Sequence, residues 1–305
     1  KMKIQNRAKI CLCVSIAIML IAAVMSLTGH GINYGIDFAG GLNLQYNMGA
    51  AYDKADVEEA LKAQGIEEFV VSSVGSDGTT VQIRVPTLSS EDEVQNLQNG
   101  LESALLEKYP DMDTDNATAS YVGPVAGATL VRNAVFSVLI AAALMLIYIA
   151  FRFDLFSGIA AVVGLLHDVL IMISFMVILR SFIQMNSSFI AAMLTIVGYS
   201  INNTIVIFDR IRENNKKPAL AGQPRSEIVE LSVKESLGRT INTTLTTLVT
   251  IVTLYILGVA SIREFSLPII IGILAGAYSA NLINGYVWAA LEDARLARKS
   301  QKKVA

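Results

Sequence analysis

With 305 residues, 53% of them hydrophobic and only 16% charged, the chain is excluded from the ordinary soluble class, in which about a quarter of residues are charged. Its two cysteines, Cys11 and Cys13, are too few and too close for a disulfide framework and read as small packing or lipid-facing side chains. The formal net charge of −2 conceals a strong asymmetry along the chain.

Six apolar stretches approach or exceed the roughly 20 residues a helix needs to cross a bilayer. They are 10–28, 132–151, 155–179, 187–208, 240–262 and 265–290. The first is preceded by a basic tail, 1–9, and lacks a small-residue cleavage site before the glycine-rich 29–35 turn, so it is expected to stay as an anchor.

The connection 29–131 reads as a folded domain. Residues 35–45 alternate and are bounded by glycine, a strand signal. Residues 53–64 have helical spacing at Val57, Ala60 and Leu61, with Asp53 as N-cap. The β-branched runs 69–74 and 79–85 flank Ser76-Asp77-Gly78, a hairpin turn. Residues 90–109 place Val94, Leu97, Leu101 and Leu105 on one stripe, and 117–122 closes as a strand. The order β-α-β-β-α-β predicts a ferredoxin-like sandwich. Between His30 and Val125, sixteen Asp or Glu face four Lys or Arg, a balance of −12.

Basic residues gather before the first span, in the connection 209–239 and in the tail 291–305. Six spans put all three on one side, which the positive-inside tendency assigns to the cytoplasm. The expected architecture is thus an α-helical integral membrane protein with six transmembrane helices, one extracytoplasmic α+β domain between the first two, and both termini cytoplasmic.

Polar residues inside spans are functional candidates by default. His167 and Asp168 fall at the centre of the third span. Neighbours on a helix diverge by about 100°, so the two are not expected to face the same way. Asp168 either locks its helix to a neighbour or handles a proton. In the fifth span Arg239, Thr243, Thr246, Thr250 and Thr253 share one face. Their hydroxyls either bond their own helix or, headed by Arg239, form a hydrated track opposite a carboxylate. Gly272 and Gly276 have the spacing of a close-packing face. Asn202 and Asn203, in the fourth span, are both expected to point inward, toward Asp168, Arg239 and the threonines or toward a partner's span. Asp209 is expected to pair at the helix end with Arg210 or Arg212. There is no Cys/His metal spacing, no phosphate-binding glycine loop and no nucleophile elbow, so no catalytic residue, metal or cofactor is expected, and the basic tails read as topology signals, not nucleic-acid sites.

Five stretches together carry a resemblance: GIDFAGG (35–41), VGPVAG (122–127), LLHDVLI (165–171), GYSINNTIVIFDRIREN (198–214) and SLGRTINTTLTTL (236–248). The chain resembles the SecF branch of the SecD/SecF family, within the resistance-nodulation-division superfamily. The motif residues that carry it include Gly35, Asp37, Gly40, Gly41, Gly123, Pro124, His167, Gly198, Tyr199 and Ser200. The resemblance implies a SecD-like partner, and work beside the SecYEG channel, the SecA ATPase and YajC on a translocating preprotein in the bacterial cytoplasmic membrane, powered by the proton-motive force. It also implies proton coupling at the positions held here by Asn203 and Arg239. The family usually has aspartate at the first of these. Asparagine mimics a protonated aspartate in shape but cannot titrate, so the expectation is that a carboxylate on the partner carries the proton. Sodium coordination by the amide oxygens of Asn202 and Asn203 is a weaker alternative. A small-molecule or lipid exporter half, and a scaffold that only positions its partner, are the competing functions.

Overall fold

The computed structural model describes residues 4–74, 78–86, 88, 90–181 and 183–304. Helix α1 (Ile4–Leu27) leads through a short helix α2 (Ile36–Ala39) into strand β1 (Gly41–Asn47), then α3 (Lys54–Ala63), β2 (Val70–Val74), β3 (Thr80–Val85), α4 (Glu91–Lys108) and β4 (Asp113–Val122). The strands form one sheet in the order β2-β3-β1-β4, with every neighbouring pair antiparallel. Leu44 lies opposite Ile83 on one side and Ala119 on the other.

Alternation decides which face is covered. Leu42, Leu44 and Tyr46 of β1 and Val81, Ile83 and Val85 of β3 are buried with Val57 and Leu61 of α3 and Leu97, Leu101 and Leu105 of α4. The intervening residues, Asn43, Gln45, Gln82 and Arg84, form the opposite, polar face. Asp53 caps α3 by accepting from the Ala55 amide at 3.0 Å. Of the turn between β2 and β3, Ser76 and Asp77 lie outside the described residues; Gly78 has φ +67°.

The strand expected over 35–45 begins only at Gly41. Residues 36–39 instead make one helical turn, because the chain must reverse onto the sheet through Gly40 (φ +79°) and Gly41 (φ +109°), a conformation that side chains resist. A Cβ on Gly41 would also lie 2.3 Å from the Val85 carbonyl oxygen. The paired glycines therefore fix where the sheet starts.

Long helices follow: α5 (Pro124–Arg152), α6 (Leu155–Ile178), α7 (Ser187–Asn214), α8 (Arg225–Leu257), α9 (Ala260–Ser279) and α10 (Gly285–Val304). A π-helical turn, Ala280–Asn284, joins the last two. Among the described residues six helical stretches are long and apolar enough to cross a membrane. The connection read as a loop over 209–239 is mostly helix. α7 runs to Asn214 and α8 begins at Arg225, because Ile228, Val229, Ser232 and Val233 make a buried stripe, of which Val229 and Val233 pack with Phe208, Ile211 and Trp288.

Apolar burial gives little net drive between helices in lipid, so close approach of small residues matters more. α7 packs against α9 where Gly272 lies against Ile196 and Gly276 against Ser200. Gly164 of α6 lies against Asn284, and Gly285 against Val229. α1 and α5 are peripheral and expose Leu20, Val24, Leu139 and Ile147.

Candidate functional site

The polar centre of the bundle is Asp168, whose side chain is fully buried. A mid-membrane carboxylate costs about 2.5–3.5 kcal/mol on insertion scales, and three hydrogen bonds offset that here. Oδ2 accepts from Ser200 Oγ of α7 at 2.5 Å and from Ser279 Oγ of α9 at 3.0 Å. Oδ1 lies 2.9 Å from His167 Nδ1. The neighbours thus meet, contrary to the helical-wheel expectation, because an imidazole is long enough to fold back across the divergence. On its other side His167 Nε2 lies 2.9 Å from Ser15 Oγ of α1 and 2.7 Å from Tyr278 Oη of α9. With Nδ1–H donating to the carboxylate, the single lone pair of Nε2 accepts from Tyr278 Oη, while Ser15 Oγ donates to the Cys11 carbonyl at 3.1 Å and lies beside the ring.

Helices α1, α6, α7 and α9 are joined at this one level. Toward the α+β domain lies a buried apolar cluster of Met172, Met176, Ile196, Ile269 and Ile273. In the opposite direction polar pairs continue. Asn284 of the π-helical turn donates to Thr204 Oγ1 at 2.8 Å, Asn203 to Thr244 Oγ1 at 3.3 Å, and Thr240 to Asn281 Oδ1 at 3.1 Å. Asn214 Nδ2 closes the row by donating to Ser232 Oγ at 3.0 Å and Glu235 at 2.8 Å.

Of the two amides, only Asn203 turns into this chain's own bundle. Asn203 is buried and Asn202 exposed on the chain by itself, in keeping with the 100° step between neighbours, so within this chain the two amides do not converge on one ion. Arg239 is exposed as well, with Thr243, Thr246, Thr250 and Thr253. Thr243 bonds the Arg239 and Thr240 carbonyls, and Thr246 those of Asn242 and Thr243. The threonines turned inward are Thr240 and Thr244. Asp209 does not pair with its neighbours. Its carboxylate lies 3.8 Å from Arg152, while Arg210 bonds Glu213 and Glu235, both at 2.6 Å.

The second assembly is at the domain's entrance. Asp37 of α2 accepts from the amide of Ser187 at 2.8 Å and from its hydroxyl. The Gly35 amide donates to the Met185 carbonyl, and the Met185 amide to the Asn33 carbonyl, both at 2.8 Å. A Cβ on Gly127 would lie 2.7 Å from the Phe38 carbonyl oxygen, so α5 closes on α2 from the other side. Gly123 is the N-cap of α5, which opens at Pro124. Tyr199 donates to the Thr243 carbonyl at 3.2 Å, and Gly198 has open space where a Cβ would be.

Against known proteins, the family described as "Protein export membrane protein SecD/SecF, C-terminal" matches residues 102–294, and the SecD/SecF GG motif matches 26–48. The chain belongs to the SecD/SecF family. Among SecD/SecF relatives, the protein translocase subunit SecF of Rickettsia bellii (strain OSU 85-389) is 35% identical over 274 residues, 89% of this chain and 88% of that one. The SecF subunit of Endomicrobium trichonymphae is 34% identical over 278 residues, 90% and 86% of the two chains. The crystal structure of SecDF, a translocon-associated membrane protein from Thermus thermophilus, superposes with TM-score 0.79 at 33% identity. It covers 95% of this chain, but this chain spans only 38% of that one. A SecDF structure in a super-membrane-facing form gives TM-score 0.66 at 31% identity over 99% of this chain. With six candidate spans, this SecD/SecF member is a multi-pass membrane protein.

The GG motif therefore coincides with the Asp37 clasp and the reversal at Gly40–Gly41. Sequence reasoning missed Ser15, Tyr278 and Ser279 as partners of the His167–Asp168 pair. Ser279 follows Gly276 by three residues and so shares its packed face, a signal available in the spacing. Nothing in the apolar run of α1 marks Ser15.

Proposed function

We propose that the chain is the SecF-type subunit of a protein-export translocase, paired with a SecD-type subunit and using the proton-motive force to complete preprotein movement across the bacterial cytoplasmic membrane. Its α+β domain is read as ferredoxin-like and extracytoplasmic, and both termini as cytoplasmic. The basic residues at the bundle end remote from that domain support this orientation. SecYEG, SecA and YajC are the expected neighbours, and the emerging preprotein the substrate.

The observation that carries the reading is Asp168, a buried carboxylate tying α6 to α7 and α9 and passing through His167 to α1. A carboxylate–imidazole pair can take up or release one proton as a unit. Protonating Asp168 weakens what it accepts from Ser200 and Ser279, so the α7–α9 contact has two arrangements. α7 starts at the Asp37 clasp, which carries its movement to the domain. One charge crossing 100 mV supplies about 2.3 kcal/mol, comparable with one or two charge-assisted hydrogen bonds. The outward stripe of Asn202, Arg239, Thr243 and Thr246 is costly against lipid. It is read as the face toward the SecD-type subunit, where a partner carboxylate pairs with Arg239.

The test is Asp168→Asn, assayed for late-stage translocation driven by proton-motive force with ATP-driven translocation in parallel. The expected outcome is loss of the first with the second retained and the subunit pair still co-purifying. Full proton-driven activity in that variant overturns the reading and favours the scaffold alternative, to which the untitratable Asn203 lends support.

A further inference from the structure

A cleft of about 1130 Å³ separates the polar face of the sheet from the nearby helix ends. Arg84 of β3 lines its roof. Arg180, just beyond α6, and Arg263, near the start of α9, line the floor with Glu264. All three arginines are half-buried, and among the described residues none makes an ion pair. Arg84 Nε and Arg263 Nε are buried without a hydrogen-bond partner. Glu264 is engaged by Asn186 Nδ2 at 2.5 Å and leaves the cleft with excess positive charge. Only Arg84 belongs to the acidic region 30–125, with its balance of −12; Arg180 and Arg263 are brought to it by the helix ends. Burial also pushes the Arg84 guanidinium below its usual range, with Glu264 opposing the shift.

The floor is amphipathic. Leu257 and Val259, at the α8–α9 corner, are 78% and 66% exposed and adjoin the exposed Ile256 at the end of α8. The ligand that matches is an anion joined to an apolar tail at interface depth. A phosphodiester suits the planar fork of a guanidinium, which binds it with two parallel hydrogen bonds. A translocating chain has no fixed charge and no tail, so it matches neither half of the site.

We propose that this cleft binds an anionic phospholipid, its phosphodiester held by Arg84, Arg180 and Arg263 and its acyl chains lying along the exposed end of α8. This does not depend on proton coupling or on transport. A bound lipid would fasten the α+β domain to the bilayer surface through both walls of the cleft.

The test uses the full chain, with any subunit that co-purifies, in nanodiscs carrying photoactivatable phosphatidylglycerol in a phosphatidylcholine background. Adducts are expected in the peptides covering residues 72–84 and 255–267. The Arg84→Gln/Arg263→Gln double variant is expected to lower them about tenfold or more, the loss of at least one charge-assisted contact. Arg84→Lys, which keeps the charge but not the fork, should fall between. Arg152→Gln at the opposite end of the bundle should change nothing, and each variant's melting temperature separates misfolding from lost binding. Equal labelling by photoactivatable phosphatidylcholine overturns the proposal, as does labelling indifferent to the arginines. Displacement by millimolar inorganic phosphate overturns the lipid as the source of the anion, and displacement by an acidic peptide overturns it in favour of a polypeptide.

Discussion

Asp37 accepts two hydrogen bonds from Ser187, 150 residues later, one from its amide at 2.8 Å and one from its hydroxyl. Asn186 is the N-cap of α7 and accepts from the Phe189 amide, while the Asp37 carboxylate takes up the Ser187 amide, where a negative charge also complements the helix dipole. The chain entering the sheet is thereby fastened to the helix that carries Ser200 and Asn203. Asp37→Ala is expected to destabilise the protein by about 0.5–1.5 kcal/mol, the net range for a lost hydrogen bond, and Asp37→Asn by less because an acceptor remains. Thermal melts of both, with hydrogen exchange over residues 186–190, check this. Unchanged exchange in the alanine variant would show that the clasp does not hold α7.

The Asp168 cluster makes a sharper prediction. Ser200→Ala leaves a fully buried carboxylate with one donor fewer, and lost hydrogen bonds to charged groups are worth about 1.5–3 kcal/mol. Ser279→Ala acts on the same oxygen at a longer distance, 3.0 Å against 2.5 Å, and should cost less. The double variant should fall short of the sum, since both serines satisfy one group. Additive losses in detergent melts would show that the two hydroxyls act independently.

What was legible in the sequence differs between the two halves. In the sheet, period-two alternation names the buried face directly: Val81, Ile83 and Val85 are all inside. In the bundle, the threonine spacing on α8 identifies a stripe but not its direction, because a helix in lipid has no polar exterior to oppose. Thr243 and Thr246 point out while Thr240 and Thr244 point in. His167 meeting Asp168 was hidden by reasoning from Cα directions alone. The Arg210–Glu235 pair joins residues brought together only once α8 is seen to begin ten residues ahead of Glu235.

Two glycines of α6 and α7 should respond oppositely to alanine. A Cβ on Gly164 would lie 2.0 Å from Asn284 Oδ1, displacing the amide that donates to Thr204. Overpacking of this kind costs about 1–3 kcal/mol. Gly198, within the region the family model matches, has nothing within 4 Å of where an alanine methyl would sit, so Gly198→Ala should be neutral or stabilise by up to about 1 kcal/mol through helix propensity. Parallel melting curves decide it, and a tolerated Gly164→Ala would mean that the π-helical turn shifts freely.

In the α+β domain, Asp56 accepts from Tyr109 Oη at 2.6 Å and from Lys108 Nζ at 3.0 Å. The tyrosine hydrogen bond first, and the lysine second, hold its carboxyl below the usual range. A depressed folded value means the group stabilises the fold above its unfolded value, near 3.9, and that this contribution is lost as pH falls through the folded value. Tyr109→Phe should move the Asp56 titration upward and flatten the acid dependence of domain stability below about pH 4. A carboxyl chemical-shift titration reads it, and an unmoved Asp56 midpoint would assign the depression to Lys108 alone.

Asn203→Asp tests the division of labour between the subunits. Asn203 is buried, and its amide nitrogen donates to Thr244 Oγ1 at 3.3 Å. A carboxylate there must reverse that bond and accept from the threonine instead. It has no cation beside it among the described residues, since Arg239 faces outward. Thr244 alone cannot satisfy two carboxylate oxygens, and a buried polar group left short of partners costs about 1–3 kcal/mol, more where it is charged. The variant should therefore melt below the parent, while proton-driven translocation stays no higher than the parent's. A gain in proton-driven translocation with the partner unchanged would place the carrier at position 203 and remove the role argued for Asp168.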